Sequence, residues 1–384
     1  MKIIVRQVKY LDPVSHQQSQ GHLVIENGKI AGFTQEMISG ADQTLEGDGH
    51  WLFPGFIDLH VHFREPGGEE SETLETGARA AAAGGFTTVV CMPNTNPVLD
   101  HPGIIDQLIS QSKALPCQLL FMGALTRGSK GLERVDFSNY AHPAIVGVTD
   151  DGRPVANARI MWEAIQEGKK HGLIVADHCE DESLMYDRSV NRGMVSKRLG
   201  LAGVPPLAEE LMVQRNLHLA KVSECPVHLQ HISTAGSVSM IRQAKAQGVP
   251  VTAEAAPHHF SMTEYAVLTR GAMAKMSPPL RSEADMRAVR EGLADGTIDC
   301  IATDHAPHKA KNKTGELVNC ANGVIGLETA FAASVTHLID TGTVTLSQLI
   351  ERLSTRPAQI LGLSEKGSLK PGNDADIVLV NLRR

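Results

Sequence analysis

The chain has 384 residues, of which 42% are hydrophobic and 21% charged, a composition typical of a soluble globular protein. The formal net charge of −7 argues against a surface that binds nucleic acid. No apolar run approaches the roughly 18 residues of a membrane span. The first six residues, MKIIVR, place Arg6 after only three apolar residues, which is too short for the apolar region of a signal peptide. The six cysteines are scattered without a Cys-x-x-Cys pair, so we expect free thiols and a cytoplasmic location.

The two ends of the chain are predicted to form β-structure. Strand patterns at 23–26 and 29–33 flank Asn27-Gly28, a strong signal for a two-residue hairpin. Near the other end, a strand is expected at 377–380 after a turn-rich stretch. We therefore predict a small β-sandwich domain built from residues 1–51 and 364–384, shortened at its C-terminal side.

Residues 52–363 repeat a pattern of strand, loop and helix. Strands are expected at 52–62, 87–93, 118–124, 145–150, 173–179, 227–233, 251–257 and 300–305. Helices are expected at 71–84, 102–115, 154–171, 206–222, 234–247, 282–295, 324–341 and 345–361. This alternation predicts an α/β fold, a (β/α)8 TIM-like barrel. A doubly wound open sheet is the alternative, but it requires a glycine-rich turn after its first strand, where this chain has DLHVH.

Histidines and aspartates concentrate at the C-terminal ends of the predicted strands, where barrel enzymes carry their chemistry. His60 and His62 share one face of the first strand, because residues i and i+2 of a strand point the same way. The other members of the set are Asp150 or Asp151, His178, His231 and Asp304. Imidazole and carboxylate groups together form the ligand set of zinc.

The set is large enough for two metal ions. His60, His62 and Asp304 can hold one ion, His178 and His231 the other, and an aspartate of strand four can bridge them. Paired ions lower the pKa of a water molecule held between them. Asp304 is placed to take a proton from that water and pass it to a leaving nitrogen. This chemistry is hydrolysis of an amide-like bond, or its reversal.

Several motifs carry a resemblance to a known family. They are DLHVHFREPG at 58–67, CMPNT at 91–95, DDG at 150–152, HCED at 178–181, QHIS at 230–233, PPLR at 278–281 and ATDHAPH at 302–308. In these motifs and their order the chain resembles the type I bacterial dihydroorotases of the amidohydrolase superfamily, which are metal-dependent hydrolase barrels. The resemblance covers nearly the whole predicted barrel.

The resemblance implies two zinc ions, with Asp151 as the bridging ligand and Asp150 as the alternative. It implies that Asp304 is the catalytic proton shuttle as well as a ligand beside His60 and His62. The implied substrate-binding residues are His62, Arg64, Asn94, Ser277, His308, Asn322 and Gly323. The implied reaction is the reversible cyclisation of N-carbamoyl-L-aspartate to L-dihydroorotate, a step of pyrimidine synthesis.

Two features depart from the family pattern, and two other functions stay open. Ser277 stands where relatives commonly have a substrate-contacting asparagine, and the 309–313 stretch KAKNK stands where many have acidic residues. A related cyclic amidohydrolase, such as an allantoinase or hydantoinase, is the alternative enzyme. An inactive scaffold for aspartate transcarbamoylase is the non-enzyme alternative, although such scaffolds typically lose metal ligands. We expect a homodimer and name aspartate transcarbamoylase as a candidate partner.

Overall fold

The computed structural model describes residues 1–14 and 18–382, so the last two residues of the predicted 364–384 segment lie outside the described part. The strands are β1 (Lys2–Leu11), β2 (Gln18–Glu26), β3 (Lys29–Thr34), β4 (Gln43–Glu46), β5 (Trp51–Pro54), β6 (Phe56–Val61), β7 (Phe86–Cys91), β8 (Gln118–Ala124), β9 (Ile145–Thr149), β10 (Ile174–Asp177), β11 (Val227–Leu229), β12 (Val251–Ala255), β13 (Cys300–Ile301) and β14 (Ile377–Val380). The α-helices are α1 (Leu74–Ala83), α2 (Pro102–Ser112), α3 (Ala158–His171), α4 (Met194–Leu199), α5 (Pro206–Ser223), α6 (Ala235–Ala246), α7 (Pro257–Ser261), α8 (Ala266–Arg270), α9 (Glu283–Asp295), α10 (Ala330–Ser334), α11 (Leu346–Ile350) and α12 (Arg356–Ile360).

Strands from both ends of the chain form one six-stranded sheet, in the order β14-β5-β1-β2-β3, with β4 also paired to β1. The predicted hairpin is confirmed, since Glu26 pairs with Lys29 across Asn27-Gly28, and both turn residues have positive φ. β14 returns antiparallel to β5. The two ends of the described chain thus share one sheet around its own apolar cluster, which includes Val5, Leu23 and Leu52, where a β-sandwich was predicted.

The single strand predicted over 52–62 is wrong, because the structure divides it at Gly55. β5 lies in the small sheet and β6 begins the barrel. A Cβ at Gly55 would lie 2.2 Å from the Thr87 hydroxyl oxygen, so the chain passes closely between the two sheets here. The apolar run continues through the break, and its pattern therefore gives no sign of the change of sheet.

The remaining eight strands, β6 to β13, form a parallel barrel, as predicted. The seam between β13 and β6 is closed just beyond the strand ends, where the His62 N–H donates to the His305 carbonyl at 2.8 Å. Only 3₁₀ turns lie between β8 and β9, in agreement with the helix-free stretch expected there. The structure adds the short helices α4, α7 and α8, which the sequence pattern missed.

Two apolar layers hold the barrel rigid. The larger cluster packs strands against the surrounding helices, and a smaller one fills the inside with residues from strands on all sides, including Leu59, Met92 and Met122. The capping box predicted at the start of α9 is present, with Ser282 and Asp285 each accepting the other's backbone N–H. The C-terminal strand ends therefore form a fixed rim. No helix of the described chain is long and apolar enough to cross a membrane.

Candidate active site

Four buried imidazoles meet at the rim of the barrel. His60 and His62 lie at the end of β6 with their Nε2 atoms 3.2 Å apart, as the i, i+2 spacing predicts. His178 follows β10 and His231 follows β11, and His178 Nδ1 lies 2.7 Å from His231 Nε2. The structure thus presents two pairs of facing ring nitrogens.

Asp151 lies between the two pairs of imidazoles and is itself buried. Its Oδ2 is 3.3 Å from His60 Nε2 and 3.2 Å from His62 Nε2. Its Oδ1 is 3.4 Å from His178 Nδ1 and 3.5 Å from His231 Nε2. Each carboxylate oxygen therefore lies next to one pair of imidazole nitrogens, which is the arrangement expected of a bridging ligand.

The neighbouring Asp150 is turned away from the imidazoles. It accepts hydrogen bonds from the Thr126 N–H at 2.9 Å and from the Thr126 hydroxyl. Burial raises the pKa of Asp150 to about 6, although these bonds lower it. Of the two aspartates that the sequence left open, the structure brings Asp151 to the cluster.

Buried carboxylates fix the orientation of two of the imidazoles. His60 Nδ1 donates to Glu254 Oε1 at 2.6 Å, and His178 Nε2 donates to Glu180 Oε2 at 3.0 Å. Because the outer nitrogen of each ring carries the proton, the inner nitrogen presents its lone pair to the cluster. His231 Nδ1 is buried without a hydrogen-bond partner among the described residues.

The cluster is electrostatically suited to a cation. Burial lowers the pKa of His60, but the carboxylates of Asp151 and Glu254 outweigh this effect and hold the pKa well above its ordinary value. The same imidazoles hold the pKa of Asp151 well below its ordinary value, against the opposing effect of burial. Positive charge is thus favoured at the point that the imidazoles and carboxylates share.

Two sets of three ligands fit metal ions: His60, His62 and Asp151, and Asp151, His178 and His231. Within each set the ligand atoms lie within 4.8 Å of one another, and all residues are buried. Asp151 Oδ1 is buried and accepts no hydrogen bond from the described residues. Imidazole nitrogens with a shared carboxylate are ligands that zinc accepts, so the residues fit a pair of such ions.

Asp304 lies beside the first pair of imidazoles. Its Oδ1 is 3.1 Å from His62 Nε2 and 3.7 Å from His60 Nε2. Asp304 has φ of +48° and His231 has φ of +33°, values that non-glycine residues rarely adopt. Both side chains are therefore aimed into the cluster by a strained backbone rather than by regular strand geometry.

Arg64 and Asn94 offer hydrogen-bond donors beside the cluster. Arg64 is partly buried, its Nε donates to the Pro307 carbonyl at 3.2 Å, and it makes no ion pair with the described residues. Burial lowers its pKa. Asn94 Oδ1 accepts a hydrogen bond from His62 Nδ1 at 2.9 Å, and the Asn94 amide N–H groups donate to none of the described residues. The Arg64 guanidinium and the Asn94 amide can therefore both donate hydrogen bonds to an anionic group of a ligand.

Ser277 and His308 make hydrogen bonds that define what they can offer a ligand. The Ser277 hydroxyl donates to Glu180 Oε2 at 2.5 Å, so only its oxygen remains as an acceptor. His308 Nε2 donates to the Asn322 carbonyl at 2.6 Å. Burial, and then the nearby Arg64, lower the pKa of His308 to about 4. Neutral His308 with its proton on Nε2 presents an acceptor at Nδ1, whereas a carboxylate requires a donor.

Gly323 occupies a position that requires glycine. Its φ is +133°, and a Cβ there would lie 2.7 Å from the Ala306 carbonyl oxygen and 3.1 Å from His308 Nε2. Asn322 presents a buried Oδ1 that has no partner among the described residues. The 322–323 backbone therefore approaches the site closely and carries an unsatisfied polar atom.

A cavity of about 240 Å³ connects these groups. It is lined by His62, Arg64, Asn94, Asp151, Gly152, His178, Arg188, His231, Ser277, Asp304, Ala306, His308, Asn322 and Gly323. Each of the predicted site residues lines this cavity except His60, which lies buried behind it. The sequence reasoning missed Arg188, Glu180 and Glu254. Glu180 follows His178 at i+2, and Glu254 is the one carboxylate of an apolar strand, so both carried a usable signal.

The class of protein follows from comparison with known sequences. The model of the amidohydrolase family matches residues 51–384, and the chain belongs to this family. It is 45% identical over 381 residues to a protein named dihydroorotase from Pelotomaculum thermopropionicum, covering 99% of this chain and 89% of that one. It is 44% identical to a dihydroorotase from Syntrophus aciditrophicus, covering 99% and 90% of the two chains.

Solved structures show the same fold at lower identity. An L-hydantoinase (dihydropyrimidinase) from Arthrobacter aurescens matches with a TM-score of 0.86 and 24% identity, over 98% of this chain and 86% of that one. A dihydropyrimidinase from Brevibacillus agri matches with a TM-score of 0.83 and 22% identity, over 99% and 86%. These matches establish the barrel with its separate sheet.

Proposed function

We propose that the chain is a metal-dependent dihydroorotase that interconverts N-carbamoyl-L-aspartate and L-dihydroorotate in pyrimidine biosynthesis. In the hydrolytic direction, water adds to the ring amide carbonyl, the carbon–nitrogen bond breaks, and the products are a carboxylate and a ureido N–H. In the biosynthetic direction the carbon–nitrogen bond forms and water leaves. The relatives named dihydroorotase, which match nearly the whole chain, support this choice of reaction.

The observation that carries the proposal is the unpaired Arg64 beside the imidazole–carboxylate cluster. A partly buried guanidinium with no carboxylate partner in the described chain is costly unless a ligand supplies the anion. The Asn94 amide, held by His62, adds a neutral donor at the same place. N-carbamoyl-L-aspartate and L-dihydroorotate both carry an α-carboxylate, whereas simple hydantoins lack one.

The first proposed ion has the ligands His60, His62 and Asp304, and the second has His178 and His231, with Asp151 shared. We propose zinc for both, because the donors are imidazole nitrogen and carboxylate oxygen. When bound, such ions polarise a carbonyl oxygen and lower the pKa of water. Glu254 and Glu180 keep the rings of His60 and His178 in the orientation that presents their inner nitrogens.

Asp304 is the proposed proton carrier. It lines the cavity and lies next to the imidazole pair of β6. In hydrolysis its carboxylate accepts a proton from the attacking water and delivers it to the leaving ring nitrogen. In cyclisation the same carboxylate takes the proton from the ureido nitrogen. Both directions then use one group whose backbone conformation fixes its position.

The deciding experiment compares turnover of dihydroorotate, hydantoin and allantoin by the zinc-loaded protein. We expect turnover of dihydroorotate in preference to both others. A preference for hydantoin or allantoin would favour the alternative cyclic amidohydrolase. The bridging position holds Asp151, and VTDD at 148–151 contains no lysine, the residue with which hydantoinases bridge their metals. A protein that binds no metal and turns over none of the three would instead be a scaffold.

The chain is further proposed to act in the cytoplasm as a homodimer, with aspartate transcarbamoylase as a candidate partner. The negative net charge gives no support to a nucleic-acid partner. Light scattering of the purified protein tests the dimer, since a monomeric mass at micromolar concentration would contradict it. Co-purification with aspartate transcarbamoylase from the same organism tests the partner.

A further inference from the structure

Lys313 is a buried cation beside the active site that has no role in the reaction so far described. Its side chain is only 9% exposed, and no carboxylate of the described chain pairs with it. Its Nζ instead donates to three backbone carbonyls: Lys275 at 2.9 Å, Ala321 at 3.0 Å and Gly323 at 2.8 Å. All three donors of the ammonium group are therefore used to hold backbone that borders the cavity.

The bond to the Ala321 carbonyl fixes the direction of the next N–H. The Ala321–Asn322 peptide is trans, so the Asn322 N–H points away from the carbonyl oxygen that Lys313 holds. This N–H makes no hydrogen bond to another described residue. Asn322 lines the cavity, and its Oδ1 is also unsatisfied. One residue of the cavity lining thus carries a backbone donor and a side-chain acceptor that have no partner among the described residues.

A second buried lysine supports the same segment. Lys275, 2% exposed, donates from Nζ to the carbonyls of Cys320 at 2.5 Å and Val318 at 3.2 Å. Its own carbonyl receives the Gly323 N–H at 3.0 Å as well as the Lys313 ammonium. The backbone of 319–323 is therefore tied down, and the Asn322 N–H is the one N–H of these five residues that has no acceptor among the described residues.

We propose that Lys313 is a positioning residue for substrate binding: it aims the Asn322 N–H at a carbonyl oxygen of the substrate and strengthens that N–H as a donor. A cation on the carbonyl of a peptide polarises the whole amide group, so the N–H at its other end binds an acceptor more tightly. The acceptor is the carbamoyl-derived oxygen of the ring or of the open ureido group. This inference rests on the proposed dihydroorotase function.

The electrostatic surroundings make this role dependent on pH. Burial, against the opposing effect of Cys320 and together with the charge of Lys275, lowers the pKa of Lys313 from its ordinary value of 10.5 to about 8. His308 also lies close enough to sense the charge of Lys313. As the pH rises through about 8, the ammonium loses a proton and the polarisation of the Ala321–Asn322 peptide weakens. The KM for dihydroorotate is then expected to rise.

The test compares Lys313→Met and Lys313→Arg with the control Lys311→Met in the zinc-loaded enzyme. Lys311 is exposed on the same 3₁₀ turn (Ala310–Lys313) and touches none of these carbonyls. For Lys313→Met at pH 7 we expect a KM at least tenfold above wild type, with kcat and zinc content changed less than threefold. The arginine variant keeps its charge up to high pH. It should bind more tightly than the methionine variant and lack the alkaline rise in KM.

Three outcomes would overturn the inference. One is an unchanged KM in Lys313→Met, and another is an alkaline rise in KM that persists unchanged in both Lys313 variants. The third is an equal fall in kcat, zinc content and melting temperature, which would assign Lys313 a role in folding alone. The proposed function is tested separately, because a wild-type enzyme without activity on dihydroorotate contradicts that function before any variant is compared.

Discussion

Glu254→Gln tests whether the buried carboxylate behind the imidazole cluster determines metal affinity. Glu254 Oε1 accepts from His60 Nδ1 at 2.6 Å and from the His231 N–H at 3.3 Å, and Oε2 accepts from His228 Nε2 at 3.0 Å. Glutamine keeps the shape but offers only one accepting oxygen, so His60 and His228 can no longer both donate to this side chain. The charge that favours a cation at His60 is lost as well.

The expected effect is a weaker metal site in a folded protein. Loss of a partner behind a metal-ligating histidine typically costs about 10–100-fold in metal affinity. Each factor of ten corresponds to about 1.4 kcal/mol, so the expected loss of binding free energy is about 1.4–2.8 kcal/mol. Titration of the metal-free protein with Zn²⁺ against a competing chelator measures this loss directly.

Glu264→Gln is the matched control for Glu254→Gln. Glu264 is also buried, but its Oε2 accepts from the Asn191 amide at 2.9 Å and contacts no imidazole of the cluster. It should lower thermal stability without changing zinc affinity. The reasoning would be refuted if Glu254→Gln bound zinc within threefold of wild type, or if both variants lost affinity equally.

Three further predictions concern other parts of the site. Arg64→Met should raise the KM for dihydroorotate at least tenfold because the carboxylate loses its cation, and equal KM values in steady-state kinetics would contradict this. Burial lowers the pKa of His259 to about 4, so the native state resists protonation and stability should fall as the pH drops from about 6.5 to about 4. His259→Gln should reduce that fall, measured by urea unfolding at several pH values. Removal of metal with a chelator should abolish turnover, and added Zn²⁺ should restore it.

The sequence predicted the barrel and the candidate ligands because both depend on short-range patterns. The i, i+2 spacing of His60 and His62 requires only strand geometry, and the polar residues at strand ends require only the order of strands in a barrel. The boundary at Gly55 escaped prediction because β5 and β6 are both apolar. Their separation depends on hydrogen bonds from β5 to β14, more than 300 residues along the chain.

The residues that orient the ligands were missed for a different reason. Glu254 and His60 are 194 positions apart, and the contact that gives Glu254 its role forms only when the barrel closes. Ser277 illustrates the same limit: it lines the cavity, where a substrate contact was predicted, but the donation of its proton to Glu180 was not foreseen. The pattern of residue types cannot decide between two hydrogen-bond partners that both lie at the rim.

The distribution of charge in the site explains why the overall charge of −7 did not reveal the sign of the ligand's charge. The buried carboxylates, Asp151 and Glu254 among them, face the imidazoles, where they favour metal cations. The cations lie elsewhere: Arg64 borders the cavity without an ion pair among the described residues, and Lys313 is satisfied only by carbonyls. Burial lowers the pKa of Arg64, and Asp304, Asp151 and Glu72 lie near enough to oppose this effect. None of these carboxylates forms an ion pair with Arg64, so its guanidinium can still pair with an anionic substrate. An acidic protein can thus bind an acid when its buried carboxylates face imidazoles and a cation at the site is left without an ion pair.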